Sequence, residues 1–137
     1  MTKFESTVKS IPFSQETVYN KLSNLNNIET IKDRIPEDKV KDLTFDEDSI
    51  SVSVAPVGKI KMRIIEREPH KCIKFESEES PMAFNVWIQL LPNGDSSAKM
   101  KITLGVDVNP FMKAMIQKPL QEGVEKLAEV LSMVNYQ

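Results

Sequence analysis

The stretch KFESTVKSIPFSQETVYNKLSNLNNIETI, residues 3–31, changes its period once, and that change sets the reading of the whole chain. From Lys3 to Ile11 the residues alternate. Phe4, Ser6 and Val8 fall on one face, and Glu5, Thr7 and Lys9 on the other, which is the pattern of a half-buried strand. Pro12-Phe13-Ser14 ends it. Ser14 is placed as an N-cap with Glu16 in the first turn, and Val18, Leu22 and Leu25 follow at helical spacing. Ile28, Ile31 and Ile35 continue a second apolar stripe. Asn24, Asn26 and Asn27 separate the two, and Pro36 stops the second. The expectation is one strand followed by two short helices.

Downstream the period returns to two. Val40, Leu43 and Phe45 mark a short strand. Ile50, Val52 and Val54 alternate with serines, and Ile60, Met62 and Ile64 with Lys59, Lys61 and Arg63. Ile73, Phe75 and Ser77 form the next strand, then Phe84, Val86, Ile88 and Leu90, then Met100, Ile102, Leu104, Val106 and Val108. Asp46-Glu47-Asp48, Ala55-Pro56-Val57-Gly58, Glu68-Pro69-His70-Lys71, Ser80-Pro81 and Asn93-Gly94 read as the turns between them. Short connections between successive strands imply antiparallel hairpins. The last segment, NPFMKAMIQKPLQEGVEKLAEVLSMV at 109–134, carries apolar residues three and four apart behind Asn109 as N-cap and Pro110 as first helical residue. Pro119 is expected to kink or break this helix, and Gly123 to weaken it unless a strand packs close. The economical way to bury both apolar faces is a curved antiparallel sheet wrapped round the helix.

Composition bounds the function. The chain has 137 residues, 40% hydrophobic and 28% charged, which excludes a disordered chain and suits one domain over residues 1–137. Eighteen basic residues against twenty acidic ones give a net charge of −2, so no nucleic-acid partner is expected. The lone cysteine, Cys72, allows no intrachain disulfide and fits a reducing, cytoplasmic setting. Neither a signal peptide nor a membrane span is visible, so an integral membrane protein is not expected.

The element order resembles the helix-grip fold of the START-like superfamily (SRPBCC: polyketide cyclases, lipid-transfer domains, birch-pollen-allergen-like proteins). Residues 3–31 and 109–134 carry the resemblance, which covers essentially the whole chain. It implies an α+β fold: a curved antiparallel sheet of about seven strands round a long C-terminal helix, with two short helices after strand 1. It also implies a cavity between sheet and helix, in which family members bind hydrophobic or amphipathic small molecules and some close rings.

The chemistry-bearing residues offer little for turnover. His70, the only histidine, falls in a turn, and Cys72 reads as a structural thiol despite Lys71 and Lys74 nearby. Asp42, Asp46, Glu47 and Asp48 lack the spacing and glycine of a calcium loop. Lys59, Lys61, Arg63, Lys74, Lys99 and Lys101 read as a solvated sheet face with cross-strand charge pairing. No catalytic residue, metal or cofactor is expected. The expected ligand-contact residues are Met62, Phe75, Phe84, Val86, Met100, Ile102, Met112, Met115, Ile116 and Leu120, with 28–35 and the region of Pro119 gating entry, and with Met100→Trp filling the cavity. Non-covalent binding of a hydrophobic small molecule, for carriage or sensing, is the leading reading. A cyclase or aromatase remains one alternative, and only Ser6 and Ser77 clearly project inward to serve it. A protein-interaction module with a filled core, a homodimer associating around Trp87, is the other.

Overall fold

A computed structural model describes residues 2–30, 40–54, 58–79, 82–134 and 136. Its strands are β1 (Thr2–Glu5), β2 (Lys9–Ile11), β3 (Val40–Phe45), β4 (Ser49–Val54), β5 (Gly58–Glu68), β6 (Cys72–Glu79), β7 (Phe84–Pro92) and β8 (Ala98–Val106). The helices are α1 (Gln15–Leu22) and α2 (Pro110–Ser132), with a 3-10 turn at Leu25–Thr30 between α1 and β3. The strands form one antiparallel sheet in the order β1-β8-β7-β6-β5-β4-β3, and β2 also pairs with β8. This is the α+β helix-grip architecture that the alternating pattern and the terminal helix imply.

The eighth strand comes from splitting the first. The alternation from Lys3 to Ile11 predicts one strand, but the register shifts by one residue between Phe4↔Leu104 and Lys9↔Met100. Ser6 fills that bulge. Its amide donates to the Ile102 carbonyl at 2.9 Å, and its hydroxyl accepts from the Ile102 amide at 2.9 Å. A side chain thus replaces a missing ladder acceptor, which keeps a buried amide satisfied. Past the bulge Val8 turns outward to solvent instead of inward.

The helix starts follow local chemistry. The Ser14 hydroxyl accepts from the Thr17 amide at 3.2 Å, and Asn109 Oδ1 accepts from the Met112 amide at 2.8 Å, with Pro110 opening α2. The second short helix is a 3-10 turn as far as Thr30; Ile31, Ile35 and Pro36 lie outside the described residues. The expected break at Pro119 does not occur, and α2 runs unbroken from Pro110 to Ser132. Proline removes one backbone hydrogen bond there. The turns on either side keep theirs, and the buried Val124, Ala128 and Leu131 hold the following half on the sheet. Asn93-Gly94 opens the β7–β8 connection, where the Asn93 amide donates to the Ser97 carbonyl and Gly94 takes φ +79°, a conformation that glycine adopts without strain.

No strand packs close at Gly123, and a Cβ there would meet nothing within 4 Å. Gly123→Ala therefore removes only the entropic penalty of glycine in a helix, about 1 kcal/mol. Thermal unfolding of the variant is expected about 3–4 °C above the parent, and an unchanged or lower midpoint contradicts the open surroundings of this position.

Two polar links fasten α2 to the split in the first strand. The Glu125 carboxylate accepts from the Thr7 amide at 3.0 Å and from the Thr7 hydroxyl, with Lys9 Nζ at 3.6 Å. Gln121 Nε2 donates to the Glu5 carbonyl at 2.8 Å. The Thr7 hydrogen bonds and the Lys9 charge hold Glu125 below the ordinary glutamate range. A lowered folded pKa contributes stability that is complete above the unfolded value and lost as pH falls through the folded one. The gap in melting temperature between the parent and Glu125→Gln is therefore expected at about pH 7 and should shrink towards about pH 3. A gap independent of pH removes the carboxylate from this role.

Candidate functional site

The concave face of the sheet is mostly apolar, with Ser77 and Arg67 among its polar positions, and the burial along α2 is graded. Near its C-terminal end Val124, Ala128 and Leu131 are buried; Leu120 and Ile116 are half-buried; Met112 is 36% exposed, Met115 76% and Phe111 86%. Close approaches of α2 are to β8, β1 and β2. The helix is therefore seated along one side of the sheet and leaves it towards its N-terminus. The inner residues of the other side, Leu43, Phe45, Ile50, Ile60 and Met62, pack against the core yet stay half-exposed, as does Leu104. Together they form a part-exposed apolar inner surface on the side of the sheet that α2 approaches least.

The end near the C-terminus of α2 is closed. Tyr136 is buried against Phe13 with ring centroids 5.8 Å apart, and its hydroxyl donates to the Leu131 carbonyl at 2.5 Å. Arg67 reaches from β5 to the Ser23 carbonyl at 3.0 Å and to the Asp48 carboxylate at 2.6 Å. The Leu25 amide donates to the Glu47 carbonyl. A pit of about 20 Å3 between Leu22, Leu25, Ile28, Val134 and Tyr136 has room for one water and no more.

These placements divide the residues expected to contact a ligand. Met62, Ile116 and Leu120 are half-buried, Met62 on the inner face of β5 and the other two on α2. Phe75, Phe84, Val86 and Ile102 are buried in the core. Met100 is 1% exposed and pairs with Leu90 and Lys9, towards the closed end, so a tryptophan there would overpack the core rather than fill the expected cavity. Met112 and Met115 stand on the lifted part of α2, and Met115 faces solvent. Within the expected gate Ile28 is buried and 31–35 lie outside the described residues; Pro119 is half-buried on an unbroken helix. Leu43, Phe45 and Ile50 belong to the same part-exposed inner surface although the sequence did not single them out. Alternation marks which face a residue takes, but not which part of that face the helix covers.

The remaining candidates are occupied structurally. His70 is an exposed turn residue at φ +66° whose ring meets the edge of Tyr19 at 5.6 Å. Burial, then Glu68 and Glu66, push the Cys72 thiol up, away from a reactive thiolate. Asp46 Oδ1 accepts from the Asp48 and Ser49 amides, so the acidic cluster closes a turn. Among the described residues no group of three metal-ligating side chains occurs. On the convex face Glu78 pairs with Lys61 at 3.5 Å and Arg63 at 3.4 Å, and Lys101 pairs with Glu5 at 3.3 Å. Lys3 and Lys74 lie over the Trp87 ring at 5.5 and 5.4 Å. Both inward serines are engaged as well. Ser77 Oγ accepts from the Phe84 amide at 3.1 Å, and the Ser6 hydroxyl donates to the Thr7 carbonyl.

No family model matches the sequence, and no curated protein matches it. Solved structures do. Norcoclaurine synthase from Thalictrum flavum, in complex with dopamine and hydroxybenzaldehyde, superposes with a TM-score of 0.73 at 15% identity, covering 96% of this chain and 84% of that one. A START superfamily protein from Mycobacterium smegmatis gives 0.70 at 15% identity over 95% and 94%. The di-domain ARO/CYC BexL gives 0.72 at 16% identity over 96% of this chain and 45% of that one. At these identities the likeness is one of fold, and the fold of this chain is the START-like helix-grip fold.

Proposed function

We propose that the chain binds a hydrophobic or amphipathic small molecule non-covalently in a cleft between α2 and β3–β6. The observation that carries this reading is a set of apolar side chains, Met62, Ile60, Ile50, Leu104, Ile116 and Leu120, held half-exposed across the interior of the fold. A closed core buries such residues, because each large apolar side chain taken out of water contributes about 1.5–3 kcal/mol. A concave apolar surface left part-open is the usual form of a small-molecule site. Turnover finds less support. General acid–base catalysis needs a titratable group at the reacting atom, and the inward polar side chains here are engaged: Ser6 and Ser77 with the backbone, Arg67 with Asp48 and Lys9 with Glu125. Likeness to a synthase and an ARO/CYC lends the fold, not the chemistry, to this chain.

The test is native mass spectrometry of protein purified from its own host, beside titration with the neutral hydrophobe Nile red. An excess mass lost on denaturation, or saturable Nile red fluorescence of one equivalent, supports a ligand site. A bare monomer that takes up no probe overturns it, and a bare dimer moves the reading to an interaction module.

A further inference from the structure

The stripe of α2 that faces the sheet runs Leu131, Ala128, Val124 and Leu120, stepping back three or four residues at a time. The same steps continue to Gln117 and Lys113. Its first three members are buried and Leu120 is half-buried, whereas Gln117 and Lys113 are exposed. On this line the helix changes from apolar to polar towards its N-terminus, beside the half-buried Ile116. Neither side chain has an ion-pair or hydrogen-bond partner among the described residues. Their neighbours one turn on, Gln121 and Glu125, are both tied to the first strand. The first turn of α2 holds no acidic residue. From Val108 to Gln121 the chain has Lys113 and Lys118 and no carboxylate, with Asp107 and Glu122 just outside. The positive end of the helix dipole adds to this field.

We propose that the cleft takes an amphipathic anion: an apolar body lies on Met62, Ile60 and Leu120, and a terminal carboxylate or phosphate lies at the mouth against the Lys113 ammonium and the Gln117 amide. This rests on the cleft being a ligand site and adds the polarity and direction of its ligand. An apolar chain inserts tail first, because the two inward cations of the described strands, Arg67 and Lys9, are already paired with Asp48 and Glu125, and an unpaired buried charge is costly. At the mouth the anion keeps part of its hydration and gains one charge-assisted contact. An exposed pair of that kind changes affinity about fivefold and weakens with salt.

The experiment compares dodecanoate, dodecyl phosphate and dodecanol, one chain with three heads, as competitors of Nile red on the full chain at low salt. Both anions are expected to displace the probe at about fivefold lower concentration than the alcohol. Lys113→Met should bring the three together, while Lys118→Met, an exposed lysine off the line of Leu120 and Lys113, should leave the preference intact. Equal displacement by all three in the parent protein, or a preference that survives Lys113→Met, overturns the proposal and leaves the cleft as a ligand site. A preference for only one of the anions assigns the head group and upholds the contact. Absence of probe binding is a different result and overturns the binding reading together with this one.

Discussion

Tyr136→Ala is expected to cost about 3–5 kcal/mol, the usual loss when a buried aromatic is deleted, and to lower the melting temperature by about 10–20 °C. The residue lies outside every regular element, one position from the end of the chain, where substitutions are commonly tolerated. Its contacts argue otherwise. The ring is 3% exposed and stands edge-on to Phe13. The hydroxyl donates to Leu131, one of the carbonyls that the end of α2 leaves without a helical partner. The side chain thus closes the core and caps the helix in one placement. Tyr136→Phe separates the two contributions. It keeps the ring and loses the hydrogen bond, at about 1 kcal/mol. Burial raises the phenol pKa above its ordinary value. A raised folded pKa gives stability that is complete below the unfolded value and lost as pH rises through the folded one. Stability of the parent is therefore expected to fall above about pH 10, and Tyr136→Phe should lose that part of the fall. Chemical denaturation across the alkaline range checks both claims, and a Tyr136→Ala variant as stable as the parent removes the residue from the core.

The fold was legible because two simple periods carry it. Alternation across Ile60–Ile64, Phe84–Leu90 and Met100–Val106 survives in the sheet almost residue for residue, since a one-residue slip would turn each apolar set to solvent. The caps at Ser14 and Asn109 were legible for a related reason: they are local chemistry, complete within four residues. What was not legible depends on distant partners. Nothing near Ser6 announces that its hydroxyl replaces a ladder acceptor of Ile102, ninety-six residues away, and so the split of the first strand was missed. Thr7 and Glu125 are unremarkable letters until the bulge brings them together. Pro119 was read as a helix breaker from its own chemistry, but the packing of Val124, Ala128 and Leu131 outweighs one lost hydrogen bond.

The candidate site was legible only in composition. The stripe of α2 is apolar along most of its length, so Met112 and Met115 were read with Leu120 as one surface. The structure lifts the first two away from the core. Tilt is set by how side chains on the two surfaces interdigitate over many positions, and a helical wheel contains no information about it. Hydrophobic residues at helical spacing therefore mark a face that can be buried, and only the graded exposure from Leu131 to Phe111 shows where the burial stops.

Met62→Trp distinguishes an open cleft from a closed core more sharply than any other single change. Met62 sits on β5 opposite Ile50 and Ser77, half-exposed on the inner face. If the space above it were filled, a tryptophan would force neighbours off their rotamers at about 1–3 kcal/mol, and the melting temperature would fall. With the space open, the larger ring occupies it, buries more apolar area and leaves stability level or higher. The ligand then loses its seat. The expected result is therefore an unchanged or raised melting temperature with at least about tenfold weaker Nile red binding, about 1.4 kcal/mol of affinity. Met115→Ser is the matching control. That residue faces solvent, so both stability and probe binding should stay close to those of the parent. A Met62→Trp protein that melts early shows that the inner face is already packed, and one that binds the probe as before shows that the probe sits elsewhere. On the proposed reading a bound ligand must also be released, and the half of α2 that leaves the sheet is held by fewer side chains than the half fastened through Gln121, Glu125 and the buried Val124. Opening the cleft then requires only the first turns of the helix to move, while the anchor at the split first strand stays in place.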